Sequence, residues 1–218
     1  MGTDARKDIL RLLARPWSLG LVYLAALPAL ADPALMLTAY PQVSVQDRIQ
    51  TRYYPVSGST YEAIMKSLAA NGPAVVRGGI TVADTRARLG FSSEYRASPT
   101  LCALSNAKLS LSLLVSLPRH TAPQSMEPGL RRRWQDFVGH VTAHEWRHVA
   151  IYRTGVLRAK QAFERLDSQP HCELLAQQMK SLWALAQQSI AKENQAFEQA
   201  EANFRGSAAK LLRRGPGK

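Results

Sequence analysis

Between Leu104 and Leu117 the chain alternates with a period of two: Leu109, Leu111, Leu113, Val115 and Leu117 are separated by Ser110, Ser112 and Ser116, and only Leu114 breaks the pattern. Successive side chains of a strand point to opposite faces, so this stretch predicts a strand with one apolar and one polar face. Such a strand needs a second layer to cover its apolar side, and the sequence downstream can supply it. From Leu130 through Trp134, Phe137, Val138, Val141, Trp146, Val149 and Tyr152 the apolar residues recur mostly at three and four, the spacing of a helix with one buried face. The change of period falls between Pro118 and Pro128.

The remaining elements follow from the same signals. Val43 to Val56 is rich in β-branched and aromatic residues and ends at Ser57-Gly58-Ser59, which predicts a strand and a turn. Ser59 or Thr60 can cap a helix through Tyr61, Ile64, Met65 and Leu68, which Asn71-Gly72-Pro73 stops. Val75 to Leu89 and Phe91 to Arg96 read as two further strands. Gly155 is expected to bend or end the first long helix; Ser168-Gln169-Pro170 interrupts the pattern, and a second long helix runs from about Cys172 to Phe204. The expected fold class is α+β: a small antiparallel or mixed sheet packed on a long helix and a second long C-terminal helix. Residues 207–218, with Arg213-Arg214 and Lys218, read as a basic disordered tail.

At the other end, Arg6, Lys7, Arg11 and Arg15 precede an apolar run from Trp17 to Ala31 that closes on Ala29-Leu30-Ala31. A charged start, a short apolar core and a small-x-small end are what export and cleavage require, so residues 1–31 read as a secretory signal peptide and 32–206 as the folded domain. Pro16 and Pro28 bracket only about a dozen apolar residues, where spanning a bilayer needs roughly 20. No integral membrane span is expected after cleavage, and the protein is expected to be secreted, to the periplasm. In an oxidising compartment thiols pair, and the chain has two cysteines, so Cys102 and Cys172 are expected to form one disulfide. Closing a loop of about 70 residues is worth roughly 3 to 5 kcal/mol in the chain-entropy picture.

The 28 lysines and arginines outnumber the 16 aspartates and glutamates, for a net charge of +12. With 46% hydrophobic residues the chain is not a disordered polycation. Its basic residues, including Arg131-Arg132-Arg133, are scattered over both halves without a nucleic-acid-binding signature, so no nucleic-acid partner is expected.

One pentapeptide carries chemistry: His144-Glu145-Trp146-Arg147-His148, an H-E-x-x-H motif inside the first long helix. Histidines four apart project from one helix face with Cβ atoms about 5–6 Å apart, close enough for both imidazoles to reach one Zn2+ ion. Glu145, a hundred degrees or so round the helix, is placed to act on a water at that ion rather than to ligate it. Zinc lowers the pKa of its bound water to about 7, and the glutamate can take the proton and pass it to a leaving amine. His140, one turn upstream, would stand too far along the axis to share the ion with His148, at about 5.4 Å per turn. His120 and His171 have no local partner in the sequence. Arg147 points away from the metal-binding face and reads as structural.

The third ligand is not evident. The histidine that a metzincin would place at 154 is absent, because Ile151 and Thr154 occupy the positions of its Gly and His. Glu164, on an unbroken helix, would face away from His148. Glu198 and Glu201, one turn apart on the last helix, remain available, as does the reading of each as a solvated acidic residue.

Over roughly Tyr53 to Gly206 the chain resembles a bacterial family of predicted secreted zinc-dependent proteases. The resemblance rests on Tyr54-x-Val56-x-Gly58-x-Thr60, Asn71-Gly72-Pro73, Cys102, the alternating strand ending Leu117-Pro118, Trp134, the His144 to His148 motif and Cys172. It implies a zincin-like domain whose last strand lies beside the active-site helix and holds a peptide or protein substrate by strand addition. It also supports the disulfide and the export. Where that family carries an aromatic-Asp-x-x-Thr-x-His-Gly element, this chain has Phe197-Glu198-Gln199-Ala200-Glu201-Ala202-Asn203-Phe204, without a histidine. Glu198 is then the expected third ligand. The function expected is peptide hydrolysis by metal-activated water, with His144, His148 and Glu198 on zinc and Glu145 as general base. The alternatives are a degenerate zincin-like periplasmic binding protein and a basic envelope- or nucleic-acid-binding module.

Overall fold

The structure, a computed structural model, describes residues 40–73, 81–201, 210 and 212. The proposed signal segment 1–31 lies outside the described residues, as do residues 74–80 and most of the C-terminal tail.

The first strand, β1 (Gln42–Val56), leads through a turn into α1 (Tyr61–Asn71). Gly58 turns the chain with φ +126°, and a Cβ there would stand 2.6 Å from that of Ala63, so the corner needs glycine twice over. Thr60 caps α1, its hydroxyl accepting from the Ala63 N–H at 3.3 Å. β2 (Asp84–Ala97) and β3 (Cys102–His120) follow, then a short 3-10 turn at Pro123–Ser125 and two long helices, α2 (Pro128–Glu164) and α3 (Cys172–Ala200). The α+β expectation holds, with a mixed sheet: the order is β1-β3-β2, β1 parallel and β2 antiparallel to β3.

Three expectations need correction. The two strands expected on either side of Gly90 are one: β2 runs straight through it, Gly90 pairing with Ser110, because neighbouring β3 supplies a continuous ladder. Gly155 does not end α2, which continues to Glu164; the glycine instead makes room for Ile190 of α3. β3 is not an edge that could accept a substrate strand, since β1 and β2 pair with it on both sides. Within the segment read as a tail, residues 210 and 212 are helical, and Leu212 is buried with its carbonyl accepting from Arg133 Nε at 3.2 Å.

The apolar face of β3 forms the core as its alternation requires: Leu109, Leu111, Leu113, Val115 and Leu117 are buried, together with Phe137 and Val141 of α2 and Leu175 and Met179 of α3. Phe91 of β2 meets Phe163 edge-on at 5.4 Å and Trp183 at 5.5 Å, joining the sheet to both helices. α2 and α3 form an antiparallel hairpin, and Glu127 caps the start of α2 by accepting from the N–H groups of Gly129 and Leu130. Cys102 and Cys172 are disulfide-bonded with Cα atoms 5.1 Å apart. Beside the bond, Cys102 and Gln169 exchange two backbone hydrogen bonds of 2.7 and 2.8 Å, so the start of β3 is tied to the loop entering α3. Among the described residues no helix is long and apolar enough to cross a membrane.

Candidate metal centre

His144 and His148 project from the middle of α2 toward α3, where Glu198 lies opposite. His144 Nε2 and His148 Nε2 are 3.2 Å apart, and Glu198 Oε1 lies 3.3 Å from the first and 3.0 Å from the second. Three atoms bound to one tetrahedral ion at about 2.0–2.1 Å would be separated by about 3.3 Å, the edge of the tetrahedron. The triangle observed has that size. The ring of Phe197 closes one side, its centroid 4.8 Å from that of His144 and 5.0 Å from that of His148.

The protonation pattern follows from the neighbours. Asn194 Nδ2 donates to the Ile190 carbonyl at 2.9 Å, which turns its Oδ1 toward His148 Nδ1, 2.6 Å away. His148 therefore donates from Nδ1, and as a neutral imidazole it presents a bare lone pair at Nε2. That lone pair, the Nε2 of His144 and a carboxylate oxygen converge on one point. Acceptors at such distances require a shared cation, either protons or a metal ion, and the two-imidazole, one-carboxylate set suits zinc. The donor set thus fits the ion the motif implies.

Glu145 sits beside this triangle and outside it. Only 4% exposed, it accepts a 2.7 Å hydrogen bond at Oε2 from the hydroxyl of Thr85 on β2. Burial raises its pKa above the ordinary carboxylate value; the Thr85 hydroxyl and His148 oppose the rise, and Asp84 and Glu198 add to it. His144 moves the other way: burial lowers its pKa first, His148 lowers it further, and Glu198 and Glu201 work against both.

Of the two glutamates one turn apart, Glu198 faces the histidine pair. Glu201 lies behind, its Oε2 4.0 Å from His144 Nδ1. Glu164 is remote from the site and pairs with Lys160. A cavity of about 200 Å3 adjoins the cluster, lined by His140, Ala143, His144, Arg147, Phe197 and Glu201. Arg147, read as structural from the sequence, thus borders the site. His120 ties the turn before α1 to the end of β3. Buried against Trp134, it accepts from the Ala122 N–H at Nδ1 and donates from Nε2 to the Gly58 carbonyl. Two residues of the site, Thr85 and Asn194, escape the sequence reading. Asn194 lies within its reach, one turn before Glu198 on the same helix face; Thr85 comes from a strand 60 residues away and leaves no local signal.

Fold and site together describe an α+β domain in which a helical hairpin holds a two-histidine, one-carboxylate cluster with a buried glutamate at its side. The chain belongs to the bacterial family of proteins of unknown function designated DUF922, whose family model matches residues 51–206. No curated protein and no solved structure matches the chain.

Proposed function

We propose that this chain is an exported, periplasmic zinc-dependent peptidase of zincin type, with His144, His148 and Glu198 holding the ion and Glu145 as general base. The observation that carries the reading is the convergence of three ligand atoms at 3.0 to 3.3 Å beside a buried glutamate that belongs to none of those contacts. When bound, zinc supplies a Lewis acid and lowers the pKa of an adjacent water to about 7. The chain's own residues do the rest. Thr85 holds Oε2 of Glu145, leaving Oε1 to take the proton of the attacking water. As the water oxygen bonds to the carbonyl carbon and the C–N bond breaks, Glu145 delivers that proton to the amine nitrogen. Asn194 keeps His148 in the tautomer whose Nε2 is free to ligate.

Substrate recognition is assigned to β2, the edge strand that carries Thr85, because among the described residues no strand pairs with its outer side while both sides of β3 are taken. The disulfide between Cys102 and Cys172 suits an oxidising compartment and so supports the export.

The test combines metal content with turnover. Wild-type protein dialysed against zinc is expected to retain one ion per chain and to cleave an unfolded protein such as reduced casein. Glu145→Gln keeps the ion and loses cleavage, by about 10²-fold or more; His148→Ala loses the ion. Absence of stoichiometric zinc, or unchanged cleavage by Glu145→Gln, would sink the reading.

A further inference from the structure

The sheet face turned away from α2 and α3 carries charge that the described residues do not neutralise. Strand pairing aligns Arg48, Ser112 and Arg88 in one row across β1, β3 and β2. Neighbouring strands lie about 4.8 Å apart, so the two arginines stand one on each side of the serine, their backbones about 10 Å from one another. Lys108, Arg86 and Arg52 stand on the same face. Its two carboxylates are occupied: Asp84 pairs with Arg86 at 2.6 Å, and Glu94 accepts from Asn106 at 2.8 Å. Arg48, Arg88 and Lys108 are exposed and have no acidic partner among the described residues. Like charges gathered on one face repel each other, a cost that an external anion would relieve.

The shape of the face narrows the kind of anion. From Ser44 to Arg52 and in the paired rows of β2 and β3, the one large apolar side chain is half-buried Leu114, and none is aromatic. A nucleic acid strand would find no stacking platform there, and nothing is present to insert between lipid chains. What the face offers is an open array of cations interleaved with serines, matched to a broad layer of phosphates.

We propose that this face docks the protein on a bilayer surface bearing anionic phospholipid headgroups. The cluster of His144, His148 and Glu198 belongs to the helices on the other side of the sheet, so docking leaves it uncovered.

The experiment is co-sedimentation of the full chain with vesicles of phosphatidylglycerol and phosphatidylcholine in equal parts, compared with phosphatidylcholine alone. Any contribution from residues 1–31, apolar or basic, is common to wild type and variants, so the difference between them isolates the sheet face. A preference for the anionic vesicles is expected, weakening as salt rises. Each cation near such a surface is worth about fivefold in partition, so Arg48→Gln/Arg88→Gln/Lys108→Gln should reduce the preference on the order of a hundredfold. Arg48→Lys/Arg88→Lys retains it. A comparison triple on exposed positions of the helices, Arg132→Gln/Lys180→Gln/Lys192→Gln, should leave the preference within a few-fold. Equal losses in the two triples, or no preference in the wild type, would overturn the proposal. Binding of a DNA or RNA oligomer through the same three residues, with vesicles ignored, would reassign the face to nucleic acid.

Discussion

Ile190 of α3 approaches the backbone of α2 so closely at Gly155 that a Cβ there would lie 2.1 Å from Ile190 Cγ1. Seven residues before Gly155 is His148, and eight after Ile190 is Glu198, so the same close approach that needs a glycine sets the helix separation at the histidine pair. Gly155→Ala is therefore expected to do two things. Overpacking should cost about 1–3 kcal/mol, read as a lower urea midpoint. Zinc affinity, measured against a competing chelator, should fall with it, and adding Ile190→Ala should restore affinity more than stability. Unchanged affinity in the single variant would separate the helix contact from the site.

Asn194→Leu removes the acceptor that orients His148 while leaving every proposed ligand in place. Losing such a partner typically weakens a metal site 10–100-fold, roughly, and that loss is expected in chelator competition. An affinity equal to wild type would mean that His148 needs no help to present Nε2.

Replacing Cys102 and Cys172 by serine is expected to cost roughly 2–5 kcal/mol in chemical denaturation, as for disulfides of secreted domains. The pair of backbone hydrogen bonds between Cys102 and Gln169 shares the same junction, so the variant should also show faster amide exchange there. A loss under about 1 kcal/mol would indicate that those bonds hold the junction without the cross-link.

Tyr54 gives a pH signature away from the metal. Burial, with Asp84 adding to it, raises its pKa above the ordinary value, and its hydroxyl donates to the Val82 carbonyl at 2.7 Å. The unfolded chain then loses this proton first, so the contribution is intact below the unfolded value of about 10 and is lost as the pH rises from there through the folded-state value. Tyr54→Phe should cost about 1 kcal/mol near neutrality for the lost hydrogen bond, and its stability should fall less steeply than the wild type's above about pH 10. Parallel alkaline arms would assign the fall to other groups.

The residues differ in how openly the sequence displays them. β3 is legible because its period of two needs no partner to be recognised, and α2 because a buried stripe repeats along it. The glycines mislead for a common reason: Gly90 and Gly155 look like breaks when only local preference is weighed, whereas one sits in a continuous ladder and the other beneath a neighbouring helix. The His144 to His148 spacing announces a shared face, yet choosing between Glu198 and Glu201 requires the approach of a second helix, which no local pattern encodes. The order of strands is hidden altogether, since a parallel pair such as Gln42 and Asn106 meets across most of the sheet's own sequence.

That strand order has a temporal side. β2 and β3 are joined by a short connection, and Ala97 pairs with Cys102, so their hairpin can close as soon as both are made. β1 leaves the ribosome before β2 and β3 and, among the described residues, has no strand partner until the central strand appears 64 positions later in register. Loop closure over that distance is slower than over a hairpin. The sheet is thus expected to assemble from its middle outward, with exchange protection in β2 and β3 preceding that in β1, so the earliest synthesised of these three strands is the last to find its place.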